Sequence, residues 1–168
     1  MTKEPAGETA AAPATSGGPV HPVSVFSLRV LREEDYDRVM ALWRVTEGMG
    51  LNESDTRAGI AAFLLHNKGL SRVAEDCSTG ELLGAVLCGS DGRRGYLHHL
   101  AVARPQRGHG IGRALVAACL EGLRARGIPK CNLFLYADNA AGREFWEHAG
   151  WKAREDLVMM QVAISPTG

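Results

Sequence analysis

No stretch of the chain is apolar for the ~20 residues that a membrane-spanning helix requires, so no membrane partner is expected. Neither sign of charge is in excess: 19 Lys and Arg balance 19 Asp and Glu. Zero net charge gives no electrostatic footprint for nucleic acid. Aromatic residues make up only 6%. Four cysteines (Cys77, Cys88, Cys119 and Cys131) include no C-x-x-C pair, which predicts free thiols and no metal site. The first residues, MTKEPAGETAAAPATSGGP, lack the apolar segment of an export signal, so a cytoplasmic protein is expected. Their Ala, Pro, Gly, Ser and Thr bias cannot bury enough surface to order itself. Residues 1–22 are therefore expected to be a disordered tail ahead of a single domain over 23–168.

What the chain does contain is a succession of β and α signals. Phe26, Leu28 and Val30 alternate with Ser27 and Arg29, the period of a half-buried strand. Acids at Glu33, Glu34 and Asp35 open a helix with Tyr36, Val39, Met40 and Trp43 on its apolar stripe. A second helix is expected from an N-cap at Ser54 or Asp55 to Leu65. Strands follow over 71–75, 81–88 and 96–102, then a helix from about Gly110 that Gly127 and Pro129 end. A buried strand over 131–136, a short helix over 139–149 and a final strand over 157–162 complete the pattern. Cys88 and Cys119 fall at core positions. The order β-α-α-β-β-β-α-β-α-β predicts a mixed α/β (α+β) layer structure.

The stretch Leu100–Leu115, L-A-V-A-R-P-Q-R-G-H-G-I-G-R-A-L, joins a strand to a helix. Pro105 cannot donate to a sheet ladder and marks the strand's end. Glycines at 108, 110 and 112 let the backbone turn tightly and bare its N–H groups at the start of the helix, where an anion is favoured. A Walker A loop is excluded because no Lys-Ser or Lys-Thr follows. A dinucleotide fingerprint is excluded because Gly108 and Gly110 lead to Arg113, and Gly110 and Gly112 lead to Leu115. Nucleotide binding is thereby the remote reading.

What remains, Arg107-Gly108-His109-Gly110-Ile111-Gly112, resembles the [RQ]-x-x-G-x-[GA] motif of the GNAT superfamily of acetyl-CoA-dependent N-acetyltransferases. Asn139 to Trp151 keeps the spacing of that family's N-x-x-A-x-x-[FL]-Y-E-x-x-G-[FY], and the element order agrees over roughly residues 24–163. The resemblance implies a V-splayed mixed sheet of about six to seven strands flanked by about four helices. It implies acetyl-CoA as co-substrate, without a metal, wedged between strands 96–102 and 131–136. The amides of Arg107, Gly108, His109, Gly110, Ile111, Gly112 and Arg113 would hold the pyrophosphate. Main-chain groups of Leu100, Ala101 and Val102 would pair with pantetheine, faced by Asn139, Phe145 and Trp146. His109 would serve through its amide, its ring in solvent.

Acyl transfer to an amine needs a neutral nitrogen, oxyanion stabilisation and protonation of the leaving thiolate. Strand alternation predicts Tyr96, His98 and Leu100 on one face and Leu97, His99 and Ala101 on the other. The strand is similar to the H-L-H-A-L-A-V of arylalkylamine N-acetyltransferases, whose two histidines fall on Tyr96 and His98. His98 is therefore the expected base, with Tyr96 beside it and the Leu100 N–H as oxyanion donor. The competing reading makes His98 an ordinary sheet histidine. Trp146 stands where the family has its general-acid tyrosine, and an indole does not ionise in this range. Tyr136 is a distant substitute. Glu47, Glu53 and Asp55 are the expected acceptor-binding acids. The acceptor is a peptide N-terminus, a lysine or a small-molecule amine, and a homodimer stays open. The rival reading is a coenzyme A-binding module with little or no catalysis.

Overall fold

The computed structural model describes residues 25–164. The expected tail over 1–22 lies outside them. The chain runs β1 (Phe26–Val30), a 3-10 turn (Glu33–Asp35), α1 (Tyr36–Arg44), a second 3-10 turn (Glu53–Asp55) and α2 (Arg57–His66). It continues through β2 (Arg72–Asp76), β3 (Leu82–Ser90), β4 (Gly95–Val102), a 3-10 turn (Arg104–Gln106), α3 (Ile111–Ala125), β5 (Cys131–Leu133) and α4 (Ala140–His148). One sheet has the order β1-β2-β3-β4-β5. Its first three pairings are antiparallel and the last, β4 with β5, is parallel. No helix among the described residues is long and apolar enough to cross a membrane.

Each face of the sheet carries its own core. Val39, Met40 and Trp43 of α1 and Ile60 of α2 pack on Val73, Ala85, Leu87 and Ala101. Ile111, Leu115, Cys119 and Leu123 of α3 pack on Ala74, Leu83, Val86, Cys88 and Leu97. β3 is buried on both faces, which is why E-L-L-G-A-V-L-C reads as a continuous apolar run. Gly84 lies where a Cβ would press on the Ala101 carbonyl at 3.0 Å, so α3 and β4 can close on the strand.

Several expectations are corrected. The sheet has five strands among the described residues, not six to seven, because Leu157–Val162 forms no strand. Leu157, Val158, Met159 and Met160 carry apolar side chains at both parities of a strand, and such a segment orders only against partners on both faces. Here it has none, and Val158 and Met160 are 91% and 92% exposed. β5 ends at Leu133 rather than Tyr136, since pairing with β4 stops at Leu97↔Leu133. The cap of α2 is Thr56, whose hydroxyl accepts from Gly59 N at 3.1 Å, while Asn52 caps the preceding 3-10 turn.

One ionic cluster ties β1, β2 and α1 together. Arg29 reaches Asp35 at 2.6 Å and Glu75 at 2.7 Å, and Arg38 reaches Glu75 at 2.8 Å. Burial pushes Asp35 up, but Arg29 and the Arg32 amide outweigh it and hold the carboxyl below its usual range. Arg29 holds Glu75 low as well. Carboxylates depressed in the folded state stabilise it fully above about pH 4 and lose that contribution as pH falls through the folded values. Arg29→Leu is expected to cost about 2 kcal/mol in urea unfolding at pH 7. Its deficit relative to the unsubstituted protein should shrink steadily below about pH 4.

Candidate active site

β4 runs directly into an anion-binding turn. After Val102, Ala103 N donates to Leu83 O at 2.8 Å, which anchors the chain before it leaves the sheet. The 3-10 turn at Arg104–Gln106 follows, with Pro105 inside it. Gly108 and Gly110 hold φ at +82° and +83°, a region that disfavours any Cβ. Gly110 is the N-cap of α3, so the first amides of the helix have no intrahelical acceptor. The turn fits a pyrophosphate on an observation of its own: His109 Nδ1, a ring nitrogen able to donate, is buried without a hydrogen-bond partner among the described residues. The expectation of a His109 ring in solvent is thus corrected. His109 is half-buried, and its Nδ1 is shielded from solvent.

Arg107 closes the turn by donating from Nε to Val102 O at 3.1 Å. Its Nη2 donates to Glu47 Oε2 at 2.8 Å, and this bond, with the nearby positive charge, lowers the Glu47 carboxyl. Glu47 belongs to the loop between α1 and the second 3-10 turn. The same loop passes Asn139 and Tyr136 with no room to spare: a Cβ on Gly48 would strike Asn139 Nδ2, and one on Gly50 would strike the Tyr136 hydroxyl. Asn139 caps α4, accepting from Gly142 N at 2.8 Å. From α4, Phe145 reaches Gly112, where a Cβ would stand 3.3 Å from its ring. Trp146 stacks edge-on against Phe145 and Trp151, with centroids 5.0 and 4.9 Å away. The wedge between β4 and the 134–136 segment is therefore walled by the glycine turn, α4 and the α1 loop.

The other half of the site is a break in the β3–β4 ladder. Ala85 faces Ala101 and Leu87 faces His98, so Val86 alone stands opposite His99 and Leu100. This is a β-bulge, and it overturns the strict alternation expected for the two histidines. His98 lies edge-on to Phe63 of α2 at 6.0 Å, while His99 packs on Trp43 of α1 at 4.9 Å. Both rings thus face the α1–α2 side and line one cavity of about 440 Å³ with Asn52, Glu53, Asp55 and Phe63. Burial lowers the His98 pKa, the neighbouring His99 adds to that, and Asp55 opposes it more weakly. Tyr96 stacks on His98 at 6.4 Å, but its hydroxyl points to Asp91 Oδ2 at 3.3 Å.

Of the residues expected from the sequence, the fold brings His98, Glu53 and Asp55 onto one cavity, leaves Tyr96 stacked on His98 outside that lining, and gathers 107–113, Asn139 and Phe145 around the wedge. Leu100 packs toward the α3 side, beyond the bulge. Glu47 sits on Arg107, away from the cavity. Asp55 spends both carboxylate oxygens inside the protein, on His99 Nε2 at 2.7 Å and on Asn52 N at 2.8 Å. His99 is the residue that alternation missed. The available signal was chemical, since histidine is among the few side chains that tolerate a left-handed backbone.

Comparison with known proteins identifies the fold and the family. The chain is 32% identical over 133 residues to an acetyltransferase of Sodalis glossinidius, covering 79% of this chain and 92% of that one. It is 37% identical over 114 residues to an acetyltransferase of Photorhabdus laumondii, covering 68% and 78%. The fold superposes on the PaiA N-acetyltransferase of Thermoplasma acidophilum, solved with coenzyme A, at a TM-score of 0.68 and 17% identity over 78% of this chain and 92% of that one. The model of the acetyltransferase (GNAT) family matches residues 33–151, and the chain belongs to that family of acyltransferases.

Proposed function

We propose that the protein moves the acetyl group of acetyl-CoA directly to a primary amine, with His98 as the base. The observation that carries this reading is the continuity of β4, which bears His98 on the cavity and ends in the open glycine turn. Acetyl-CoA would lie in the wedge, its pyrophosphate on the amides of 107–113 and its pantetheine along Leu100–Val102. Asn139, Phe145 and Trp146 would face it from α4. The acceptor would enter from the cavity side, where Glu53 supplies a carboxylate at the mouth.

An alkylammonium titrates near ~10, so its proton must leave before the nitrogen can attack. A buried His98, held below the ordinary imidazole value, is neutral at pH 7 and free to take that proton. The amine nitrogen bonds to the acetyl carbon, the Leu100 N–H steadies the oxyanion, the nitrogen gives its second proton to water, and the C–S bond breaks. A thiol of pKa ~8.5 leaves as thiolate with little acid assistance and takes its proton from water. Trp146 in place of an ionisable tyrosine is compatible with that chemistry.

Three outcomes test the reading. Because His98 is depressed, kcat/KM should hold flat down to about pH 6.5 and fall only below it. His98→Gln should lower kcat/KM by about a hundredfold at pH 7 and remove that acid limb. An unchanged profile would reassign the base. Gly110→Val puts a β-branched side chain at φ +83° and should raise KM for acetyl-CoA by about tenfold or more, measured by thiol release. Tight coenzyme binding with no thiol release from any amine or peptide would leave a binding module in place of an enzyme.

A further inference from the structure

His99 and Asp55 take no part in the proton transfer given to His98, yet they make an enclosed contact beside it. Their side chains are 13% and 7% exposed, and Nε2 lies 2.7 Å from Oδ1. His99 holds φ at +52°, the one non-glycine residue with positive φ among the described residues. Such a conformation persists only where the surroundings hold it. Here the surroundings are specific. Trp43 is fully buried and lies against the imidazole, and its Nε1 has no acceptor among the described residues, so it holds His99 by packing. Asp55 is fixed in turn: its Oδ2 accepts from Asn52 N at 2.8 Å, and its carbonyl accepts from the Tyr36 hydroxyl at 3.0 Å. A run of contacts therefore leads from α1, through the 3-10 turn at Glu53–Asp55, to the bulge in β4.

We propose that Asp55 and His99 are a positioning pair that clamps the bulge. By holding His99 left-handed, Asp55 keeps both histidines on the cavity face and sets the direction of the Leu100 N–H. A regular strand would send His98 and His99 to opposite faces and return Leu100 to the ladder. The pair also joins the acceptor side to the acetyl side, since the turn that carries Asp55 also carries Glu53. The inference rests on the roles given above to His98 and Leu100, and its test separates the two.

Asparagine tolerates the left-handed region and can donate to Asp55, but it cannot take up a proton. Valine cannot take up a proton either, but it neither tolerates that region nor donates to Asp55. His99→Asn should keep kcat within about threefold of the unsubstituted enzyme, whereas His99→Val and Asp55→Ala should lower it by about tenfold to a hundredfold. KM for acetyl-CoA should change by less than about threefold in all of them, because the glycine turn is untouched. If Asp55→Ala does not fold, the two His99 variants carry the same comparison.

Amide hydrogen exchange over residues 97–101 of the free protein gives an arm that needs no turnover. It should speed up by about tenfold in His99→Val and stay unchanged in His99→Asn. A kcat for His99→Asn as low as that for His99→Val would overturn the clamp and make His99 a proton carrier. Faster exchange with kcat unchanged would also overturn it, reducing the pair to a stabilising contact. Should the unsubstituted protein release no thiol from any acceptor, the acetyl-transfer reading fails; exchange then decides the clamp alone, and equal exchange in both His99 variants refutes it.

Discussion

Opposite Val86 the sheet has to accommodate two residues of β4, His99 and Leu100, and the regular ladder gives way on both sides of the strand. Toward β3 it bulges. Toward β5 pairing ends at Leu97↔Leu133, immediately before the histidines. An interrupted ladder is the cost of exposing main-chain groups in the middle of a sheet, where they would otherwise be consumed by neighbours. The site needs both interruptions. The bulge turns two imidazoles to the α1–α2 side, and the lost pairing with β5 opens a wedge in line with the glycine turn.

The loop between α1 and the second 3-10 turn is the element that sees both halves. Glu47 reaches Arg107 in the phosphate-type turn, Gly48 and Gly50 pass under Asn139 and Tyr136, and Asn52 caps the turn that carries Asp55. The spacing of these residues makes one short stretch answerable to three surfaces. Glycine at 48 and 50 is explained by contact as much as by backbone freedom, since any side chain there would collide with α4 or with the segment before it.

Much of this was legible in the residues. The stripe Val39, Met40 and Trp43, the two-face burial of β3 and the punctuation of Arg107–Gly112 all follow from local rules of period and turn chemistry. Asp55 entered the site only through the family resemblance, as an acceptor-binding acid, and its carboxylate instead meets His99. What local rules miss are features created by partners. Alternation cannot report a bulge, because the extra residue is defined by the opposing strand. Likewise, the apolar content of Leu157–Val162 reads as a strand, but β character is realised only through pairing, and the described chain supplies none there.

Burial is distributed unevenly along the chain, and this has a mechanical meaning. Leu123 is the last buried residue among those described, and α4 contains none. The wedge therefore has one stiff jaw and one compliant jaw. β4, the glycine turn and α3 are keyed into two cores, while β5 and α4 are held by a three-residue parallel pairing and by a few aromatic contacts at Phe145, Trp146 and Trp151. Opening free energies are lowest where buried contacts are fewest. Motions that widen or narrow the cleft should thus be carried by the C-terminal jaw, leaving the histidines and the anion-binding amides stationary on the other.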